Sequence, residues 1–154
     1  MDSSNIEIVG PCADLQTGWR VLYDGYATFY KREMTDEIAN TVWAWINSPD
    51  HELEGAIALL ERQPVGLAHY RRMPSPLRGA DIGFLDDMFI APDARGQGIA
   101  EALFAHLRTT AASRGWEIVR WITADDNYRA RALYDRVAAK SNWNTYELNP
   151  HLSP

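Results

Sequence analysis

Arg95-Gly96-Gln97-Gly98-Ile99-Ala100 follows an apolar run, Leu85 to Ile90, and opens a helical pattern with Ile99, Leu103, Leu107 and Ala111 on one face. A strand therefore meets a glycine turn, and the turn feeds a helix. Glycines at such a junction leave backbone N–H groups uncovered at the positive end of the helix dipole, which suits an anion. Arg95 adds a fixed positive charge, so a pyrophosphate fits the arrangement. The same glycines also serve a plain tight turn, and Gly-x-Gly alone does not choose between the two. Neither GxxxxGK[ST] nor a GxGxxG in a first βαβ unit occurs, so the ATP and dinucleotide fingerprints are absent. The strand before the turn carries Asp86 and Asp87. Alternation puts Asp86, Met88 and Ile90 on one face and Asp87 and Phe89 on the other, so one aspartate should face any cleft.

Other chemistries find little support. His51, His69, His106 and His151 have no HxxxH or HxH spacing, and the single cysteine, Cys12, forms neither an intrachain disulfide nor a thiolate cluster. No metal is expected. Fifteen Lys and Arg against 21 Asp and Glu give a formal net charge of −6, the wrong sign for a nucleic-acid binder. No run approaches the ~20 apolar residues of a membrane span. Residues 1–10 lack a basic region followed by an apolar one, so a cytoplasmic protein without a membrane partner is expected.

The elements that must position these residues follow from period and punctuation. In 154 residues one domain is expected, spanning 1–154. Residues 5–9 read as a strand. Leu15, Trp19, Leu22, Tyr26 and Phe29 or Tyr30 form a helical stripe, against which Gly18 and Gly25 each weigh about 1 kcal/mol. Thr35 is placed to cap a second helix, with Ile38, Val42, Trp45 and Ile46 inward and a stop at Ser48-Pro49. Residues 53–60 and 65–70 read as a hairpin, 73–79 as a loop and 81–90 as a long strand. A helix over 97–113 stops at Gly115. Residues 117–123 read as a strand and 127–140 as a helix that Asp125-Asp126 caps, with Ala130, Leu133, Tyr134 and Val137 inward. Residues 143–148 alternate as a closing strand. Trp19, Tyr23, Trp43 and Trp45 read mostly as core, His69 as a satisfied core histidine and Cys12 as a buried filler.

Arg95, Gly98 and Ala100 occupy the three defining positions of R/Q-x-x-G-x-G/A, and the segment resembles that signature of the GNAT superfamily of acyl-CoA-dependent N-acetyltransferases. A second pattern of that family, asparagine followed seven residues on by tyrosine, appears as Asn127 to Tyr134, with a strand between the motifs. The element order resembles the family across nearly the whole chain. Leu85-Asp86-Asp87-Met88-Phe89-Ile90 is similar to the L-E-D-hydrophobic strand of the diamine acetyltransferases and the yeast histone and polyamine acetyltransferases, with aspartate for glutamate. Tyr26, Phe29 and Tyr30 resemble their aromatic first helix, which faces the acceptor amine. The stretch after Tyr134 departs from the diamine enzymes: it is shorter and lacks their run of acidic residues, which puts polyamines in doubt as acceptors.

The resemblance implies an α/β GNAT fold: a mixed, mostly antiparallel sheet of six to seven strands with about four helices, splayed between the strands ending at Ile90 and Thr123. It implies acetyl-CoA as co-substrate, with the pantetheine on the backbone of Met88, Phe89 and Ile90 as if it were an extra strand. The pyrophosphate would lie on the N–H groups of Arg95, Gly96, Gln97, Gly98, Ile99 and Ala100. Asn127 and Tyr134, two helical turns apart, would point at the same ligand. It implies Asp86 as general base, acting through a water, and Tyr134 as the acid that protonates the leaving thiolate. The backbone N–H of Ile90 or Phe89 would polarise the thioester carbonyl. The acceptor would be a small-molecule amine or an exposed lysine, and the assembly a homodimer. An acyl-CoA-binding regulator without turnover and an interaction module are the competing classes; retention of both Asp86 and Tyr134 favours the enzyme.

Overall fold

The computed structural model describes residues 5–152. They fall into two compact units, one ending at Ile122 and the other beginning at Thr123. The first unit holds β1 (Ile6–Val9), α1 (Gln16–Phe29), α2 (Asp36–Asn47), β2 (Leu53–Leu60), β3 (Gln63–Ser75), β4 (Ala80–Ile90), α3 (Ile99–Arg114) and β5 (Val119–Arg120). The strands form one sheet in the order β1-β2-β3-β4-β5, antiparallel except for the β4–β5 pair. One face carries Leu53, Ile57, Leu59, Leu67 and Phe89 against Trp19, Leu22, Tyr23, Ala39, Val42 and Ile46 of α1 and α2. Burying one such large side chain stabilises by about 1.5–3 kcal/mol.

Local signals explain most of these elements. The Thr35 hydroxyl accepts the Ile38 N–H at 3.1 Å, a cap of the kind that contributes about 1 kcal/mol. Gly115 ends α3 in the left-handed region at φ 73°. Gly25 lets α1 approach the sheet: a Cβ there would stand 2.8 Å from the Phe89 ring. The hairpin is tighter than its sequence suggests, because β3 begins at Gln63 and the turn is Glu61-Arg62 alone, at φ 50° and 69°.

Several expectations are corrected. α2 presents Ala39, Val42 and Ile46 to the core, while Ile38 and Trp45 are 45% and 41% exposed and Trp45 stacks on His51. β3 runs through Met73 and Pro74 to Ser75; beyond Arg71 it has no β2 partner, and on that one-sided stretch proline is tolerated. Cys12 is exposed. β5 shrinks from 117–123 to Val119–Arg120. It pairs only Gly83 and Phe84 of β4, so among the described residues Leu85 to Ile90 have no strand partner on that side.

The second unit holds α4 (Tyr128–Val137). Asn127 stands at its N-cap with no side-chain cap bond, so the expected cap from Asp125 and Asp126 is not made. Those residues act through their backbone instead: the Asp126 carbonyl accepts the Tyr128 N–H at 2.9 Å, and the Asp125 carbonyl accepts the Arg131 guanidinium at 2.5 Å. The closing strand at 143–148 is not formed, and among the described residues the sheet has five strands rather than six or seven. A strand exists only with a partner, and the alternation at Trp143 finds none among the described residues.

Candidate active site

β4 does not alternate regularly. His69 of β3 lies opposite Asp87, but Tyr70 lies opposite Leu85, so Asp86 is the extra residue of a β-bulge. The bulge turns two successive side chains to one face. Arg71 and His69, two residues apart and thus on one face of β3, reach Asp86 and Asp87 respectively. Both aspartates therefore look toward α1, which corrects the expectation that only one would. Beyond the bulge Phe89 stays on the α1 side, and Ile90 lies beside Ile99 of α3.

Asp87 is held from all sides. Its Oδ2 lies 2.8 Å from His69 Nδ1 and accepts from the Tyr23 hydroxyl at 3.1 Å; Tyr26 also hydrogen-bonds it. Trp19 Nε1–H donates to His69 Nε2 at 2.9 Å. An indole nitrogen only donates, so Nε2 accepts and the ring proton sits on Nδ1, from which it is donated to Asp87. His69 is thus the satisfied core histidine expected, fully buried. Burial alone would raise the Asp87 carboxyl, but the hydrogen bonds from His69, Tyr26 and Tyr23 outweigh it and hold the carboxyl below its ordinary range. Burial and the Asp87 charge push the Tyr23 and Tyr26 hydroxyls well above the usual phenol value. Asp87, Tyr23 and Tyr26 are thus held in fixed protonation states, the carboxyl ionised and the two hydroxyls protonated.

Asp86 differs. It accepts from Arg71 Nε at 2.9 Å and Nη2 at 3.4 Å, and its side chain is 29% exposed against 18% for Asp87. Burial raises its carboxyl above the ordinary range, and the Arg71 guanidinium only partly offsets this. Arg71 itself lies over the Phe84 ring, 4.9 Å from its centroid. Asp86 is the carboxylate with both access and raised basicity.

Phe89 joins this cluster to the glycine turn. Tyr26 meets its ring edge-on at 6.4 Å, and the Arg95 guanidinium lies 5.7 Å from its centroid on the turn side. Tyr26 also packs on Tyr30, which contacts Phe29; Phe29 and Tyr30 are 50% and 40% exposed, so the helix ends in accessible aromatic surface. The turn itself has Gly96 at φ 78° and Gly98 at φ 85°, with Gly98 the N-cap of α3. The first α-helical bond from the cap runs from the Ala102 N–H to the Gly98 carbonyl, so the N–H groups of Ile99 and Ala100 at the helix start have no intrahelical acceptor. A Cβ at Gly96 or Gly98 would meet nothing within 4 Å, which leaves room for a phosphate over those amides. Gln97 turns back to the Asp93 carbonyl at 3.4 Å.

The first unit thus gathers Tyr26, Phe29, Tyr30, Asp86, Met88, Phe89, Ile90 and the 95–100 turn along β4 and its ends. Asn127 and Tyr134 belong to the second unit, where both fall on the half-buried side of α4 with Ala130, Leu133 and Val137. Arg71, the partner of Asp86, escaped sequence reasoning. Its spacing from His69 was the available signal, but the bulge that brings it to Asp86 is not local. No cluster of three His, Cys, Asp or Glu suited to a metal gathers among the described residues. Among them, no helix is long and apolar enough to cross a membrane.

Known proteins are similar to this chain in sequence and fold. Residues 19–138 match the acetyltransferase (GNAT) family. The D-amino-acid N-acetyltransferase HPA3 of Saccharomyces cerevisiae is 29% identical over 136 residues, 87% of this chain and 84% of that protein. The thialysine N-epsilon-acetyltransferase of Caenorhabditis elegans is 28% identical over 102 residues, 63% of each. Among solved structures, the aminoglycoside N-acetyltransferase AAC(6')-Iy in complex with CoA superposes with a TM-score of 0.83 at 17% identity, covering 98% of both chains. The ribosomal-protein-alanine N-acetyltransferase of Brucella melitensis biovar Abortus 2308 gives 0.80 at 24% identity, covering 94% of this chain and 99% of the other.

Proposed function

The chain belongs to the GNAT family of acetyltransferases, and from that premise we propose that it transfers the acetyl group of acetyl-CoA directly to a primary amine of a small molecule. The observation that carries the reading is the pairing, along one strand, of an accessible carboxylate at Asp86 with an open anion-binding turn at 95–100. Arg95 and the amides of Gly96 to Ala100 suit the pyrophosphate, and the unpartnered side of Met88 to Ile90 suits the pantetheine. Asn127 is assigned to the same co-substrate. Acetyl-CoA supplies an activated acyl group.

The chain's own residues then manage two protons. An alkyl ammonium, with a pKa of about 10.4, attacks only after losing one. Asp86 takes it through a water, helped by its raised carboxyl. Tyr134 delivers a proton to the departing thiolate, and the Phe89 or Ile90 N–H polarises the carbonyl. Tyr26, Phe29 and Tyr30 line the acceptor side. The 19–138 family match runs across the boundary at Ile122, which supports residues 1–154 working as one acetyltransferase domain. The reading includes a homodimer in the cytoplasm, where a lone thiol stays reduced. Its net negative charge favours cationic small molecules over nucleic acid.

The test is an amine panel of polyamines, amino acids, aminoglycosides and lysine peptides with acetyl-CoA, read by free thiol release. Amine-dependent release is expected. Binding of acetyl-CoA with no release for any amine would replace the enzyme with a CoA-binding regulator.

A further inference from the structure

Asp86 is not a bare carboxylate waiting for an amine, because Arg71 already holds it through two nitrogens. An acceptor ammonium that reaches Asp86 must therefore lie close to a guanidinium as well. Asp87 offers no alternative, since His69, Tyr23 and Tyr26 occupy it. A simple amine meets repulsion from Arg71, and a second ammonium on the same acceptor adds to it. A carboxylate on the acceptor turns that repulsion into attraction. We propose that Arg71 is the receptor for this carboxylate, so that the acceptors are amines with a carboxylate on the adjacent carbon, the α-amino acids. The inference rests on the acetyl-transfer reading above and names the substrate class for that site.

Three features of the pair fit that role. Arg71 and Asp86 are 30% and 29% exposed, covered enough to strengthen electrostatics yet open to a ligand. The guanidinium lies over the Phe84 ring, and a planar fork with five donors matches a carboxylate bidentately. The protein's positive and negative groups touch, as do the ammonium and carboxylate of an α-amino acid, so the two pairs meet head to tail. Arg71 touches the acceptor and not the reacting nitrogen, which makes it a specificity determinant.

The experiment compares amino acids with their own amides, and with polyamines, by thiol release on the full chain, in the wild type, Arg71→Gln and Arg71→Lys. The wild type is expected to prefer the free acid over its amide by about 10- to 100-fold in kcat/KM, the size of a lost charge-assisted pair. Arg71→Gln should abolish that preference, mostly through KM for the free acid. Arg71→Lys, which keeps the charge but not the fork, should restore part of it. Thermal melts confirm that each variant is folded. Equal use of acids and amides by the wild type, or an equal loss for both in Arg71→Gln, overturns the assignment while leaving acetyl transfer intact. Silence toward every amine, polyamines included, overturns acetyl transfer itself.

Discussion

Two adjacent aspartates on one face are set to different tasks by their neighbours. Asp87 is a structural anion whose three hydrogen-bond donors keep it ionised; Asp86 is half-open, and burial lifts its carboxyl. Asp86→Asn should therefore lower kcat by about 10²- to 10⁴-fold, the usual worth of a general base, with little change in melting temperature. Asp87→Asn should instead destabilise the fold by about 1–3 kcal/mol, because buried tyrosine hydroxyls lose a charged acceptor. The sign of the pH effect follows from the direction of each shift. Asp87 titrates lower folded than unfolded, so its contribution is complete above the unfolded value of about 3.9 and is lost as pH falls through the folded value. Melts of wild type and Asp87→Asn should then converge on acidification below pH ~4. A gap that persists there, or an Asp86→Asn enzyme of normal rate, contradicts the division of labour. Sequence could not assign it: the types and order of Asp86 and Asp87 were visible, but Arg71 and His69 reach them only through a register shift between strands.

At the scale of elements, what was legible was what is local. The Thr35 cap, the Gly115 stop and the turn at 95–100 depend on neighbours a few residues away, and each stands where the sequence put it. The rotation of α2, the bulge at Asp86 and the extension of β3 past Pro74 depend on pairing across the sheet, which no window of sequence contains. The Gly98 turn is the element where local geometry bears most directly on binding. Its φ of 85° is a conformation that costs a residue with a Cβ about 1–2 kcal/mol, and a valine would also shade the α3 amides. Gly98→Val is expected to weaken CoA binding by at least tenfold while circular dichroism shows the fold retained. Calorimetric titration of CoA into both proteins decides it. Unchanged affinity in a folded variant moves the phosphate elsewhere.

For the whole molecule, the exposed apolar surface near the end of the sequence sets the question of assembly. Residues 139–152 lie beyond the 19–138 family match, and Trp143, Tyr146 and Leu148 are 75%, 91% and 93% exposed. The sequence alternates there as a strand does, yet among the described residues it pairs with no strand. Side chains of this kind do not favour water: each ring buries about 150–250 Å² when covered, at about 25 cal/mol per Å². In a two-fold dimer that gain counts twice, against an association cost of about 4–15 kcal/mol paid once. The proposed homodimer would use this segment, a second copy supplying the partner that the strand pattern lacks. Light scattering should give twice the chain mass for the wild type. The triple change Trp143→Ser, Tyr146→Ser and Leu148→Ser should give a single chain mass, with the melt of the sheet core still cooperative. A wild type that runs as a monomer at micromolar concentration removes the homodimer. A variant that stays dimeric moves the interface to another face, since the alternation at 143–148 would then have no partner to explain it.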